Sequence, residues 1–400
     1  MEMRKDYYKH YVPVLRWKAA EIAAITQLTE AVKSGITPLI ELCPSAFSKK
    51  ESSSVKPESV VSKKSSQIKP ESIVSKKSIA LASAFNQNPF MVDLAHIPET
   101  IRCSNGSHIW NAIIDEGQKS GLKIIPVTGF YGKGLEYQRR INKVNTIFKS
   151  GIAIRLTQKD FVNVNMSNNL QRLLDMLNIN IGESDLIIDL NVLSEWTPSV
   201  SSYLEKIPKI WNWRTITILS GSFPVDLSAF KANHTYVLPR YEWMYWRSEI
   251  LRSSQHSEIR LPSFGDYTIQ HAVYKEPPPF PHVSASIRYT AEDSWVVFRG
   301  EWIGKKDGSG SAQYPAEAQL LMERPEFYGD TFSDGDRFIA EKAKNGIKPG
   351  NPKQWLQAGI NHHITLTTKM VQSDTLSIKK AVIEMPVKER VDNVTARSMN

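Results

Sequence analysis

Short apolar runs alternate with amphipathic segments along the first 260 residues of the chain. Eight runs are long enough for a strand and carry few charges, which is typical of strands buried on both faces of a parallel sheet. They occupy residues 12–17, 36–43, 90–97, 123–130, 151–157, 185–191, 215–221 and 236–243. The segments between them have the period of helices, and three end at Gly35, Gly121 and Gly151, where a helix commonly stops.

This alternation of strand and helix, repeated over roughly 240 residues, predicts an α/β fold of the (β/α)8 type, a TIM-like barrel. A doubly wound open sheet is the alternative. It would need fewer strands, and the first run is not followed by the glycine-rich fingerprint of a dinucleotide-binding domain. We therefore predict that residues 1–260 form the barrel.

The pattern changes in the remaining residues. FGDYTIQH (264–271) is interpreted as a loop that returns to the barrel, and residues 284–302 alternate as an antiparallel strand pair does. Residues 355–371 are interpreted as a helix, a turn and a final strand. These features predict a small α+β extension over residues 261–400 that packs near the barrel mouth.

An insertion at residues 47–80 interrupts the barrel pattern. VKPESVVSKKSSQ (55–67) is followed directly by IKPESIVSKKSIA (68–80), a duplication that is rich in serine and lysine and lacks aromatic residues. Two short copies cannot stack into a repeat core. The composition predicts a solvated loop. A basic tether for an anionic partner is the alternative.

The composition limits the class of protein. The chain has 41% hydrophobic residues and ten tryptophans, which indicates a folded core. Its net charge of +9 allows an anionic partner without requiring nucleic acid. Two cysteines argue against a disulfide framework or a thiolate zinc site. No apolar run reaches the roughly 18 residues of a membrane span, and no signal peptide is recognised, so a cytoplasmic protein without a membrane partner is expected.

Polar residues recur where the predicted strands end. Functional groups of such barrels lie at the carboxyl ends of the strands. The ligand-binding candidates are therefore Arg16, Lys18, Glu41, Asp93, His96, Arg155, Asp189, Ser220, Arg240 and Glu242. They could form salt bridges that close the barrel top, or a pocket for an anionic ligand such as a phosphorylated molecule. The carboxylates would also suit acid–base chemistry or a divalent cation, although no metal or other cofactor is predicted.

The dipeptide His362–His363 and Asp266 are candidates of lower weight. A helical metal site requires histidines four positions apart, whereas adjacent histidines in a strand point to opposite faces. Structural roles are the favoured interpretation. A contribution of one histidine to the mouth is the alternative, and a metal pair is least favoured.

Signatures of catalysis are weak. The first strand reads LRW and lacks the HR dipeptide of phosphodiesterase barrels, and no GxSxG motif occurs. GKKDGSGSAQY (304–314) lacks the ending of a phosphate-binding loop and is interpreted as a mobile loop or lid.

Several segments resemble the phage-type "beta protein" family. They are YVPVLRWKAAEIAAITQL (11–28), ITPLIELCP (36–44), FGDYTIQH (264–271), IRYTAEDSWVVFRG (287–300), FSDGDRFIAEKA (332–343) and WLQAGINHHITL (355–366). Members occur in prophages, satellite phages and bacterial genomes. The resemblance implies a role in anti-phage or toxin-neutralising cassettes, in one of which the family member restrains a toxic partner protein. It brings no established catalytic residues.

Two functions follow from this combination. The favoured one is a component of such a cassette that binds a partner protein or an anionic ligand at the barrel mouth. The alternative is a barrel enzyme, hydrolase or phosphodiesterase-like, that acts on a phosphorylated or nucleotide-like substrate. Nucleic acid is not favoured as a partner.

Overall fold

The computed structural model describes residues 8–47, 69–85, 88–130, 134–193, 197–253, 260–276, 282–304, 309–344 and 346–373. The strands of this part of the chain are β1 (Tyr11–Arg16), β2 (Leu39–Glu41), β3 (Phe90–Asp93), β4 (Ile124–Thr128), β5 (Ile152–Thr157), β6 (Ser184–Val192), β7 (Thr215–Gly221), β8 (His234–Pro239), β9 (Ser263–Asp266), β10 (Ser284–Thr290) and β11 (Ser294–Trp302).

Helices follow most of the strands. They are α1 (Ala19–Thr26), α2 (Glu30–Ser34), α3 (Pro70–Phe85), α4 (Ile109–Lys119), α5 (Gly134–Phe148), α6 (Gln158–Phe161), α7 (Met166–Leu177), α8 (Val200–Leu204), α9 (Tyr241–Ser253), α10 (Ser309–Met322), α11 (Asp334–Lys342) and α12 (Pro352–Gln372).

Eight parallel strands close into a barrel in the order β1-β2-β3-β4-β5-β6-β7-β9. The closing pair joins β9 to β1, with Phe264 opposite Tyr11. Strands β10, β11 and β8 form a separate antiparallel sheet in that order. The predicted TIM-like barrel with α+β elements beyond it is confirmed. The division of the chain at residues 260 and 261 stays a prediction about domains.

The eighth barrel strand is not the one that the sequence predicted. Residues 236–243 contain the end of β8, which pairs with β11, and the start of α9. The barrel is closed instead by β9, which lies in the segment interpreted as a returning loop. Strand β9 has four residues, and a Cβ at its Gly265 would lie 3.1 Å from the Val12 carbonyl oxygen. A strand this short, with a glycine where its neighbours press close, carries little apolar signal.

Alternation along the strands divides the apolar core into two layers. The barrel interior is filled by Val12, Val14, Leu39, Met91, Ile125, Val127, Ala153, Ile187 and Leu219. Their neighbours in the chain, such as Leu15, Ile154 and Ile188, face outward and pack with the surrounding helices. Because successive side chains of a strand point to opposite faces, this parity decides which polar residues enter the barrel mouth.

The second copy of the duplication is helical. Residues 70–80 form most of α3, so the prediction of a solvated loop is wrong for this copy, while 55–67 lie outside the described residues. Val74 and Ser78 are buried, and α3 packs against α1 and α4. Burial of one face stabilises a helix that its polar composition alone does not indicate.

Residues 355–371 belong to the single helix α12, so the predicted turn and final strand are wrong. Nearly every side chain from Ala358 to Thr368 is buried, because α12 packs against α1, α11 and β10. A helix buried on all sides has no polar face to reveal its period, and a run rich in isoleucine and threonine resembles a strand. The predicted loop at 304–314 is also wrong in part, since α10 begins at Ser309; residues 305–308 lie outside the described residues.

Both cysteines are free and buried. None of the described helices combines the length and apolarity required to cross a bilayer.

The packing of α3 is testable with two neighbouring positions. Leu81 is 2% exposed and Ile79 is 65% exposed. We expect Leu81→Ala to lower the free energy of unfolding by about 2–5 kcal/mol, because it opens a cavity beneath the helix. The matched control Ile79→Ala should leave it nearly unchanged. Equal effects of the two substitutions in urea unfolding would contradict the packing of this helix on the barrel.

Candidate functional site at the barrel mouth

The guanidinium of Arg155 lies at the centre of the barrel mouth. Its Nη1 donates to Glu41 Oε1 and to Asp93 Oδ2, each at 2.8 Å. Its Nε and Nη2 donate to Asp189 Oδ2 at 3.0 and 2.8 Å. Nη2 also donates to Tyr267 Oη at 2.9 Å. All five N–H groups that an arginine carries are therefore satisfied by groups of the protein itself.

Strand parity brings these side chains together. Glu41, Asp93, Arg155 and Asp189 each stand two positions after an interior residue of their strand, as Glu41 does after Leu39. They therefore point into the barrel at the ends of β2, β3, β5 and β6. All four are nearly inaccessible to solvent. The structure thus places together the core of the predicted polar ring, whereas ligand binding by it stays a prediction.

The network fixes the charges of its members. Burial alone would raise the pKa of Glu41, but the Arg155 guanidinium and His96 outweigh it, and the pKa falls to about 2. Burial would lower the pKa of Arg155, and the surrounding acidic groups raise it well above its usual range. Burial and the Asp189 carboxylate raise the pKa of the Tyr267 hydroxyl. Glu41 is therefore ionised beside a permanent cation at neutral pH.

Arg16, at the end of β1, holds a covering segment in place. Its Nη2 donates to the carbonyl oxygens of His271 at 2.6 Å and Ala272 at 3.3 Å, and its Nη1 donates to Gln270 Oε1 at 3.3 Å. Its Nε lies 3.9 Å from Glu41 Oε2, a buried oxygen that accepts no hydrogen bond in the described structure. We name residues 267–276 the mouth segment, since it follows β9 and is bound to the mouth by Arg16 and by Tyr267.

A basic and aromatic rim surrounds this centre. The Lys18 Nζ lies 5.7 Å and the Arg16 guanidinium carbon 5.4 Å from the ring centre of Tyr274. The His96 ring is 5.3 Å from the same ring, and its Nε2 lies 3.6 Å from Glu41 Oε1. The side chain of His96 is 35% exposed. An external molecule can reach three side chains around the mouth. They are the predicted candidates Lys18 and His96 and the neighbouring Tyr274, and we call them the rim.

Arg240 and Glu242 do not lie at the mouth, which corrects their placement from the sequence. They follow β8 rather than a barrel strand, and both are buried outside the barrel. Arg240 Nε donates to Glu242 Oε1 at 3.3 Å, and Ser222 donates to Glu242 Oε2 at 2.5 Å. Burial raises the pKa of Glu242 to about 7 despite the nearby arginine.

The prediction that Ser220 faces the mouth is wrong by one position along β7. It follows Leu219, which points into the barrel, so the Ser220 side chain points outward. It is buried, and its hydroxyl has no hydrogen-bond partner in the described structure.

The two histidines of α12 have separate structural roles. His363 Nε2 lies 2.9 Å from Asp266 Oδ2, and its Nδ1 lies 2.9 Å from the Thr290 hydroxyl. His362 Nδ1 lies 2.8 Å from Asp336 Oδ2, and its Nε2 lies 2.7 Å from the Thr290 carbonyl oxygen. Both are fully buried and contact different carboxylates. Together they join α12 to β9, β10 and α11.

Asp266, at the end of β9, points away from the barrel interior. It accepts a 2.5 Å hydrogen bond from the Tyr11 hydroxyl and lies 3.7 Å from Arg240 Nη2. Burial alone would raise its pKa, but His363 and Arg240 outweigh it and lower the pKa. No cluster of three or more histidine, cysteine or acidic side chains in the described residues has the arrangement of a metal site.

Tyr267 is the mouth residue that the sequence analysis missed. Its hydroxyl accepts from Arg155 and donates to Asp189 at 2.8 Å. Tyr267 directly follows FGD, which is part of the eighth barrel strand. Recognition of that strand in the sequence would have identified Tyr267 as a residue of the mouth.

Removal of the central cation, Arg155, should strongly destabilise the folded protein. We expect Arg155→Met to lower the free energy of unfolding by about 3–5 kcal/mol, because it leaves buried carboxylates without their counter-charge. The control Arg139→Met, at a side chain that is 69% exposed, should change it little. Urea unfolding at neutral pH measures both. A wild-type stability in Arg155→Met would contradict a structural role for the network.

The lowered pKa of Glu41 predicts that this residue stabilises the fold at neutral pH and that acid removes the stabilisation. A carboxyl whose pKa is about 2 in the folded state and 4.5 otherwise stabilises the fold above pH 4.5 and loses that contribution as the pH falls toward 2. We therefore expect Glu41→Gln to be less stable than wild type at pH 7, with a smaller loss on acidification. Thermal melts at pH 7, 5 and 3 test this, and parallel pH curves for the two proteins would exclude it.

Comparison with known proteins gives one family and distant structural likenesses. A search of curated proteins finds no match. A GH18 chitinase from Pseudoalteromonas aurantia is 13% identical, with 64% of this chain and 93% of that chain covered and a TM-score of 0.35. The YdjI aldolase from Escherichia coli K12 is 8% identical, with 93% and 91% covered and a TM-score of 0.34.

At scores this low, the barrel assignment rests on the strand pairing rather than on these likenesses. The family comparison is of a different kind, because the model of the Beta protein family matches residues 11–368 and so spans most of the chain, including every strand of the barrel. The chain belongs to the Beta protein family.

Proposed function

We propose that this protein acts by binding, as a component of a prophage or bacterial anti-phage or toxin-neutralising gene cassette. Its partner would be a protein encoded in the same cassette, bound at the barrel mouth through an acidic surface. One observation carries the preference for binding over catalysis: all five N–H groups of Arg155 are taken by acceptors of the protein itself. A ligand could reach this cation only by breaking the network.

The charge states of the mouth support the same choice. A general acid or base works best when its pKa is near the working pH, and the pKa of Glu41 is about 2. The Glu41 carboxylate is therefore suited to holding the barrel together rather than to transferring protons. The accessible groups are those of the rim, where a lysine and a histidine stand beside an aromatic ring. Such a surface complements carboxylates or other anionic groups on a partner.

A barrel enzyme acting on a phosphorylated or nucleotide-like substrate is the second candidate. It is favoured by the buried Glu41 Oε2, which accepts no hydrogen bond from the described residues, and by the partly exposed His96 beside the same carboxylate. A carboxylate–histidine pair at an open mouth could orient a nucleophilic water. This candidate predicts turnover, whereas the binding proposal predicts none.

Charge reversal at the rim tests the binding proposal. We expect Lys18→Glu to weaken capture of the cassette partner at least about tenfold and to abolish protection in a phage-challenge assay, because it repels an acidic partner. The matched control is Lys123→Glu, at an exposed lysine directly before β4 and therefore at the opposite end of the barrel. Full protection by Lys18→Glu, at wild-type melting temperature, would contradict docking at the rim.

Catalysis is tested separately with a generic phosphodiester substrate. The enzyme candidate requires hydrolysis by the wild type that is lost in a folded Glu41→Gln variant. Hydrolysis that responds in this way would replace the binding proposal, whatever the result at Lys18.

A further inference from the structure

A cleft of about 250 Å³ lies between the antiparallel sheet and the first turns of α12, away from the barrel centre. Tyr314 of α10 and Trp355 of α12 stack at 4.9 Å and form one wall, and Leu356 extends it. Ile269 and Gln270 of the mouth segment border the other side. One wall of the cleft is therefore apolar, and the other combines an apolar residue with an amide.

The floor of the cleft is polar because of the register of β10. Ser284, Ser286 and Arg288 occupy alternate positions of the strand, are partly exposed and line the cleft. The intervening Ala285 and Ile287 are buried in the core on the opposite face. One face of this strand thus presents two hydroxyl groups and a guanidinium in a row.

Arg288 has few partners for its charge. Its Nη1 donates to the Ile269 carbonyl oxygen at 2.9 Å, and its guanidinium carbon lies 4.9 Å from the ring centre of Phe223. No carboxylate of the described residues pairs with it, so four of its five N–H groups have no acceptor there. Burial lowers the pKa of Arg288 to about 10. Arg288 remains charged at neutral pH. Unlike Arg155, it has no counter-charge among the described residues.

We propose that this cleft, the Arg288 cleft, binds the oxyanion group of a small organic phosphate or carboxylate. A guanidinium with free N–H groups can hold two oxygens of such an anion at once. The Ser286 hydroxyl, one strand repeat away, can donate to a third polar atom of the ligand. The partly exposed Val283 and Leu356 would cover its apolar body, and the volume limits that body to a small molecule.

The test uses inorganic phosphate and acetate as separate probes of the full chain, with ionic strength held constant by chloride. We expect a saturable rise in melting temperature with at least one probe, because a ligand of the folded state stabilises it. Phosphate alone would identify a phosphoryl ligand, and acetate alone a carboxylate. Arg288→Gln should weaken the binding about tenfold to a hundredfold, as loss of a charged hydrogen-bond partner does. Arg139→Gln is the control and should bind as wild type does.

The proposal is overturned if neither probe gives a saturable response in the wild type, or if Arg288→Gln responds as the wild type does. If Arg288→Gln does not fold, the same binding measurement on Ser286→Ala tests the proposal. Loss of this hydroxyl should weaken binding roughly twofold to tenfold, and unchanged binding would place the anion elsewhere. The comparison of wild type with Arg288→Gln separates this cleft from the rim, and no measurement requires a cassette partner.

Discussion

The pairing of one guanidinium with three carboxylates is the interaction on which the barrel mouth depends. Arg155 of β5 draws together acidic side chains from β2, β3 and β6 and the tyrosine hydroxyl that follows β9. Without a cation among them, carboxylates this close would repel each other strongly in a site that excludes water. Three carboxylates, balanced by Arg155 and the nearby Arg16, leave one net negative charge. That remaining negative charge favours a basic side chain such as Lys18 at the opening.

Most of this network could be predicted because it follows from two simple rules. Strand ends meet at one face of a barrel, and side chains two positions apart point the same way. Glu41, Asp93, Arg155 and Asp189 satisfy both rules. Ser220 fails the second by a single position, and Arg240 fails the first because its strand belongs to another sheet. The Arg240 failure therefore arose from strand assignment and the Ser220 failure from the parity within a correctly assigned strand, so neither contradicts the two rules.

The buried polar contacts of α12 could not be predicted from the sequence. His362 finds its carboxylate 26 residues away and His363 finds its own 97 residues away, while Thr290 serves both rings. Such partners are defined only by tertiary packing. The same packing buries the whole helix surface and removes the periodicity by which the helix would have been recognised. Polar groups in this layer are hydrogen-bonded to each other, as buried polar groups require.

The path of the chain through its two sheets has a consequence for how the protein is made. Strand β8 leaves the barrel for the antiparallel sheet before β9 returns to complete the barrel. No single cut of the chain can therefore give two fragments that each contain a whole sheet. During synthesis, the edge of β1 that pairs with β9 stays unpaired until a strand some 255 residues later has emerged, as the Tyr11–Asp266 contact shows. Contacts so distant in sequence slow folding and leave strand edges unpaired on the nascent chain. Strand β8 likewise stays unpaired until β11 has emerged.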